Sequence, residues 1–259
     1  MKLFYYTLLL LAAGISMQAT AQTSSPRFNV LVLAENGGHH VRFSAEATKW
    51  LEELAADSNF SVTCIRNTDS MTKQFLRNYQ LFIQLDYPPY NWTKQAAIAF
   101  ADYIEKGEGG WIGLHHATLL GEFDGFKLWD WFRDFMGGIR FTDYIPGFAD
   151  GTVHIEDTLH PVMKGLPKSF RIEREEWYTY DQSPRNNVRV LANVDESSYQ
   201  PGSDKKMGDH PVIWSNEKMK ARNVYIFMGH SPDLFQNPLY VQLLQNAIFW
   251  AAGKTGVSH

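Results

Sequence analysis

Gly109-Gly110-Trp111-Ile112-Gly113-Leu114-His115-His116-Ala117-Thr118 is a short apolar run that ends abruptly in two histidines and small residues. An amphipathic stretch, Thr93 to Lys106, precedes it, with Ala96, Ala97, Phe100 and Ile104 on one face and Thr93 placed to cap it. Together they predict a helix followed by a central parallel strand whose C-terminal end carries chemistry. Open α/β sheets hold their ligands at that end, in the crevice beyond the strand tips.

The flanking sequence repeats this pattern. Phe28 to Ala34 reads as a buried first strand, continuous and β-branched, ending in Glu35-Asn36-Gly37-Gly38-His39-His40. The glycines permit a tight turn that presents Glu35 and the histidines; the G-x-G-x-x-G dinucleotide fingerprint is absent. Ser44 to Ala56 predicts a helix capped by Ser44, and Phe60 to Ile65 a second strand that holds the only cysteine, Cys64, as a buried inert thiol. Leu81 to Leu85 is a third strand, with Asp86 at its tip and then the rigid aromatic loop Tyr87-Pro88-Pro89-Tyr90. Alternating strands and helices predict βαβ units and a parallel sheet.

Beyond Leu119 the pattern changes. Phe123 to Met136 is rich in aromatics at helical spacing, which fits a packed helix or a wall over the site. Gly151 to Asp157, Asn187 to Val194, His210 to Trp214 and Asn223 to Met228 read as strands, and Ser197 to Asp209 as a polar surface excursion. Pro238 to Ala252 reads as a final helix. The last of these strands ends in Gly229-His230-Ser231-Pro232-Asp233.

Five of the nine histidines, His39, His40, His115, His116 and His230, follow predicted strands. Histidine transfers protons near neutral pH and binds transition metals. Side chains alternate along extended chain, so one histidine of each adjacent pair is expected to face the crevice. Glu35, Asp86, Glu176 and Asp233 are the carboxylates that could complete the set. Such a cluster serves either of two chemistries. One is metal-free acid–base work, with His115, His116 and His230 moving protons and carboxylates orienting them. The other is a divalent metal such as zinc, held by His40, His116 and His230, although no H-E-x-x-H spacing is present. His154, His160 and His210 are expected to be structural, and the terminal His259 disordered.

Composition narrows the function classes. The net charge is −4 and there is no basic run, which argues against nucleic acid. Residues 1–21 combine Lys2, the apolar run Leu3 to Ile15 and Ala19-Thr20-Ala21, a secretory signal peptide with its cleavage site. The mature chain, 22–259, is then expected to be one exported domain, periplasmic or secreted, without a membrane span or an internal disulfide. Among 17 Phe, 12 Tyr and 8 Trp, most are expected to pack the core, leaving Tyr87, Tyr90, Trp111, Trp177 and Tyr178 as platforms for a small-molecule carbohydrate.

Gly109 to Thr118 resembles the most recognisable stretch of the ThuA-like family, named for trehalose utilisation. His160-Pro161-Val162 through Gly165-Leu166-Pro167, Pro211-Val212-Ile213-Trp214, Val224 to His230 and Asn246 to Ala251 resemble other segments of that family. Glu175-Glu176-Trp177-Tyr178 departs from it, where an Asp-Glu pair commonly precedes the Tyr, and only Glu176 is carried over. The resemblance implies an α/β flavodoxin-like three-layer sandwich with a mostly parallel central sheet, similar to class I glutamine amidotransferases. Those enzymes place a cysteine nucleophile at the elbow where Gly113-Leu114-His115 here sets a histidine, so thioester chemistry on glutamine is not expected. His230 and Asp233 resemble the His-x-Glu side of their triad, shifted by one. The resemblance implies an enzyme acting on a glycoside, disaccharide or keto-sugar; a non-catalytic periplasmic sugar-binding protein is the alternative.

Overall fold

The computed structural model describes residues 25–35, 37–123 and 125–253; residues 1–21, expected to be a signal peptide, and His259 lie outside them. Apolar, β-branched runs make the first strands: β1 Asn29–Leu33, β2 Ser61–Ile65, β3 Leu81–Gln84 and β4 Gly110–Leu114. β5 Phe141–Tyr144 and β8 Tyr178–Tyr180 form a two-stranded ribbon. The remaining strands are β6 Ala149–Ile155, β7 Ser169–Glu175, β9 Arg189–Gln200, β10 Pro211–Ser215 and β11 Asn223–Ile226. Nine strands make one sheet in the order β2-β1-β3-β4-β11-β10-β9-β6-β7. The first five are parallel throughout, and the last four join them antiparallel. The sheet is therefore mixed, with its parallel half at the core.

The helices are α1 Val41–Ser58, α2 Lys73–Leu76, α3 Lys94–Lys106, α4 Asp130–Phe135 and α5 Pro238–Ala251. Alternate residues of β3 and β4 face opposite ways, and helices meet both sets. Phe82 and Trp111 pack on Phe100 of α3. Ile83 and Ile112 share an apolar space with Ala47 and Leu51 of α1 and Leu244 and Ile248 of α5. Thr93 caps α3, accepting the Ala96 N–H, as expected. Gly113 cannot be replaced here: a Cβ would lie 2.1 Å from the Trp111 indole, its neighbour on the same strand face.

Three local expectations are corrected. Ser44 does not cap α1; it lies inside the helix and its hydroxyl donates to Asp86, because the preceding turn Gly38–His40 already starts the helix at Val41. The aromatic stretch is helical only over Asp130–Phe135; Phe123 and Phe126 sit on irregular chain, where they pack around Tyr90. The excursion begins at Pro201 rather than Ser197, since β9 continues to Gln200 with Glu196 and Tyr199 buried and pairs with β6 at Asp150. No helix among the described residues is long and apolar enough to cross a membrane.

Candidate functional site

Parallel register sets the ends of β1, β3, β4 and β11 along one edge, with Leu33 beside Gln84, Gln84 beside Gly113 and Leu114 beside Ile226. The residues just beyond those ends are Glu35 and His40, Asp86, His115 and His116, and His230. Four imidazoles meet there. One ring nitrogen from each of His40, His115, His116 and His230 lies within 4.8 Å of all the others. The His40 and His116 rings are 3.8 Å apart, and those of His115 and His230 5.2 Å.

Each ring is held by a different device. His40, fully buried, donates from Nδ1 to Asp86 Oδ1 at 3.2 Å, and Ser44 Oγ donates to the same oxygen at 3.1 Å. His115, also fully buried, donates from Nδ1 to the Phe227 carbonyl at 2.9 Å, which leaves Nε2 without its proton. That Nε2 faces Glu176 Oε2 at 3.4 Å and His230 Nδ1 at 3.3 Å. His230 Nδ1 lies 3.1 Å from the same Glu176 oxygen. His40 Nε2 and His116 Nδ1 are buried without a hydrogen-bond partner.

The expectation that one histidine of each pair faces the crevice holds for His40, whose neighbour His39 is exposed, and fails for His115 and His116, which both join the cluster. Alternation needs extended backbone, and His115 leaves it: its φ is +31° and it opens a 3₁₀ turn through Thr118. A left-handed conformation costs a residue with a Cβ about 1–2 kcal/mol. Three hydroxyls hold the turn. Thr118 Oγ1 and Tyr225 Oη both donate to the His115 carbonyl, at 2.9 and 2.8 Å, and Tyr180 Oη lies 2.7 Å from Thr118 Oγ1. Gly229 comes so close that a Cβ on it would sit 3.0 Å from the His115 Cβ.

Glu175 is the residue that sequence reasoning missed. It is fully buried and accepts the backbone N–H groups of Glu176, Gly229 and His230, at 3.0, 3.2 and 3.1 Å. It thereby fixes the loop that carries His230. Arg174 has φ +55° at the end of β7, a kink that lets the adjacent Glu175 and Glu176 both reach the cluster. Its signal in the sequence was the doubled acid before Trp177, of which only one member was used.

Burial divides the carboxyls. Glu35 is pushed up to about 8 by burial and by the nearby Asp86, and its Oε2 has no partner. Glu175 is pushed up to about 8 by burial, against the backbone donors and His230 that favour its anion. Burial also acts upward on Glu176, but the hydrogen bond and charge of the His230 ring outweigh it and hold the carboxyl well below its ordinary value. Burial lowers His40, His115 and His116, His115 to about 4, so these rings are neutral at pH 7. His230 is raised: burial opposes its cation, and the hydrogen bond and charge of Glu176 prevail.

A pocket of about 450 Å³ opens beside the cluster, lined by Glu35, Tyr87, Tyr90, Phe123 and Phe126 among others. Tyr87 joins the two, its ring stacked on His116 at 5.2 Å and 3°. Tyr90 is anchored through its hydroxyl to the Leu119 carbonyl. Tyr178 packs on His115 at 4.4 Å. Trp111, Trp177 and Tyr178 are corrections: none is a platform, Tyr178 being 2 % exposed. Trp111 is core, 1 % exposed, donating to Gln84 Oε1, and Trp177 is fully buried against Phe227 with its Nε1 donating to Ala149 O. Asp233 is also corrected. Its side chain is exposed beside Arg174 and makes no bond to the four histidines among the described residues; Glu175 and Glu176 stand where a triad acid was expected. His160 caps the Val162 N–H and His210 binds Glu196, while His154 is exposed on β6.

The family model described as ThuA, trehalose utilisation, matches residues 29–251. This chain belongs to the ThuA family. The ThuA chain is 31% identical to a ThuA-like protein of Bacteroides uniformis, covering 88% of this chain and 92% of that one with a TM-score of 0.77. A ThuA-like protein of Parabacteroides merdae is 19% identical, with 91% and 93% covered and a TM-score of 0.66. A protein of the GMP synthase type from Thermoplasma acidophilum is 11% identical, with 87% and 94% covered and a TM-score of 0.55; that likeness supports the amidotransferase-like fold alone. No curated protein matches the chain.

Proposed function

We propose that this ThuA-family chain is an exported enzyme that takes a glycoside, disaccharide or keto-sugar into the Glu35–Tyr87–Tyr90 pocket and acts on it by acid–base chemistry. One observation carries the reading. Two carboxyls are driven apart, Glu35 in the pocket that Tyr87 links to the cluster, upward to about 8, and Glu176 against His230, well below its ordinary value. At neutral pH this leaves a proton donor and a proton acceptor at one site, the pattern by which acid and base roles are assigned. The acceptor, Glu176, is positioned by His230, and with it forms the more exposed edge of the cluster. Tyr87 and Tyr90 offer ring faces suited to the apolar faces of a pyranose. The family description, trehalose utilisation, supports a sugar as substrate. Export rests on residues 1–21, and the domain would be 22–259, a three-layer flavodoxin-like sandwich.

A sugar-binding protein without turnover is the second reading. It is favoured by the depth of the imidazoles: His40 and His115 have no exposed surface and His116 has 5 %. The test is a calorimetric and turnover screen of disaccharides and their keto derivatives against wild type, Glu35→Gln and Glu176→Gln. The enzyme reading expects both variants to keep binding and lose turnover. Binding without turnover in wild type, weakened a few-fold in the variants, selects the binding protein. Absence of any sugar binding overturns both.

A further inference from the structure

We infer that His40, His115, His116 and His230 form a binding site for one borderline divalent transition-metal ion of the zinc class. The inference goes beyond the sugar reading and stands on ligand geometry alone.

Four imidazole nitrogens within 4.8 Å of one another form a donor set without sulfur or a carboxylate. Imidazole suits zinc, copper, iron and nickel rather than magnesium or calcium, which take oxygen. A tetrahedral ion about 2.0–2.1 Å from each nitrogen sets the nitrogens roughly 3.4 Å apart. His115 Nε2 and His230 Nδ1 are already 3.3 Å apart.

The outer partners argue more strongly than the spacing. A metal-bound histidine usually donates its other N–H to a carboxylate or a backbone carbonyl, which fixes the tautomer and aims the free nitrogen. His40 donates from Nδ1 to Asp86 and His115 from Nδ1 to Phe227 O, so the Nε2 atoms are the free ones. His40 Nε2 and His116 Nδ1 are buried and unpartnered. A buried ring nitrogen left without a partner is costly, and an ion bound between these rings would satisfy both. The chain brings these rings together at the price of a left-handed His115. Glu176, touching both His115 and His230, supplies negative charge beside the ion.

The test uses the full chain without a polyhistidine tag, stripped by chelator and titrated with Zn²⁺ or Co²⁺ alone. Elemental analysis is expected to find about one ion per chain, and Co²⁺ to give visible d–d bands of a low-coordinate nitrogen site without sulfur charge transfer. Thermal stability is expected to rise on loading and fall on chelation. His40→Ala and His116→Ala should abolish stoichiometric binding, while His154→Ala retains it. Asp86→Asn, which leaves all four rings in place, should weaken binding roughly tenfold to a hundredfold. Failure of the folded wild-type chain to bind either ion, or undiminished binding by a folded His40→Ala/His116→Ala double variant, overturns the inference. Because these readouts need no sugar, metal binding without sugar binding sinks only the substrate assignment, and the reverse result sinks only the metal site.

Discussion

Two histidine–carboxylate groups lie in this sheet, and they are built for different ends. In the antiparallel half, buried His210 faces one carboxylate, Glu196, at 2.9 Å, and that carboxylate also accepts the N–H groups of Met207 and Gly208. Tyr199 Oη lies 3.3 Å from the same ring nitrogen. His210 Nε2 has no partner, but it is a single orphan, and the neighbouring ring is Phe227. This group ties a loop to a strand. Across the sheet, four imidazoles gather at the parallel edge, and two of their unpartnered nitrogens belong to rings 3.8 Å apart. One unpartnered nitrogen is tolerable as architecture. Convergence of four rings, with the acids beside them driven in opposite directions, is an arrangement that stability alone does not require.

The comparison breaks most sharply at its two matched acids. Glu176→Gln is expected to lower turnover of the sugar substrate by roughly 10²–10⁴-fold, the range for losing a general base. Glu196→Gln should leave turnover within the error of the assay and lower only the melting temperature. Equal losses in both variants would erase the distinction drawn between the groups.

Glu175 sharpens the contrast next. Glu175→Ala leaves three backbone N–H groups without their acceptor in a fully buried place. A loss of about 3 kcal/mol in urea unfolding is expected, since each unsatisfied buried group costs about 1–3 kcal/mol and some rearrangement offsets the sum. Unchanged stability would mean that the His230 loop is held by something else.

The pH dependence should differ in sign. Glu35 titrates higher in the folded protein, about 8 against the ordinary 4.5, because burial and Asp86 disfavour its anion. Its unfolded form releases the proton first, so native stability declines as pH rises from 4.5 through 8. Glu196 goes the other way. Burial raises it, but the His210 ring and two backbone donors prevail and lower it. Its contribution is present above the unfolded value and is lost as pH falls through the folded one. Chemical denaturation against pH should show Glu35→Gln flattening the alkaline limb and Glu196→Gln the acid limb. The proton-donor role also places the alkaline loss of wild-type turnover near pH 8, the point where Glu35 ionises.

The smallest effect is assigned to Asp233. Asp233→Asn should change neither turnover nor melting temperature, because among the described residues its exposed side chain forms an ion pair only with Arg174, at 4.0 Å. A marked loss of turnover would restore it as a triad acid.

Much of the parallel half was legible from residues alone. The runs Phe28 to Ala34, Leu81 to Leu85 and Gly109 to Leu114 are locally consistent with buried strands, and the groups that follow them are the ones that meet. The antiparallel half was less legible. Its strands mix polar and apolar residues with bulges, so β7 and the end of β9 lack a clean period. Residue type misled at Trp111 and Trp177, since an indole serves core and surface equally and only packing partners decide.

By itself the sequence determined the alternating strands and helices from Phe28 to Leu114, hence a parallel sheet, and that strand tips carry histidines and acids, because hydrophobic periodicity and turn residues are local properties; the place of β11 beside β4 came from the tertiary structure. Only the tertiary structure decided that His115 and His116 share one cluster. A +31° φ held by Thr118 and Tyr225 is a balance of distant contacts. It also decided that Glu175 and Glu176, rather than Asp233, accompany His230. That choice depends on where β7 ends relative to β11, two strands separated by three others in the sheet order and by about fifty residues of chain.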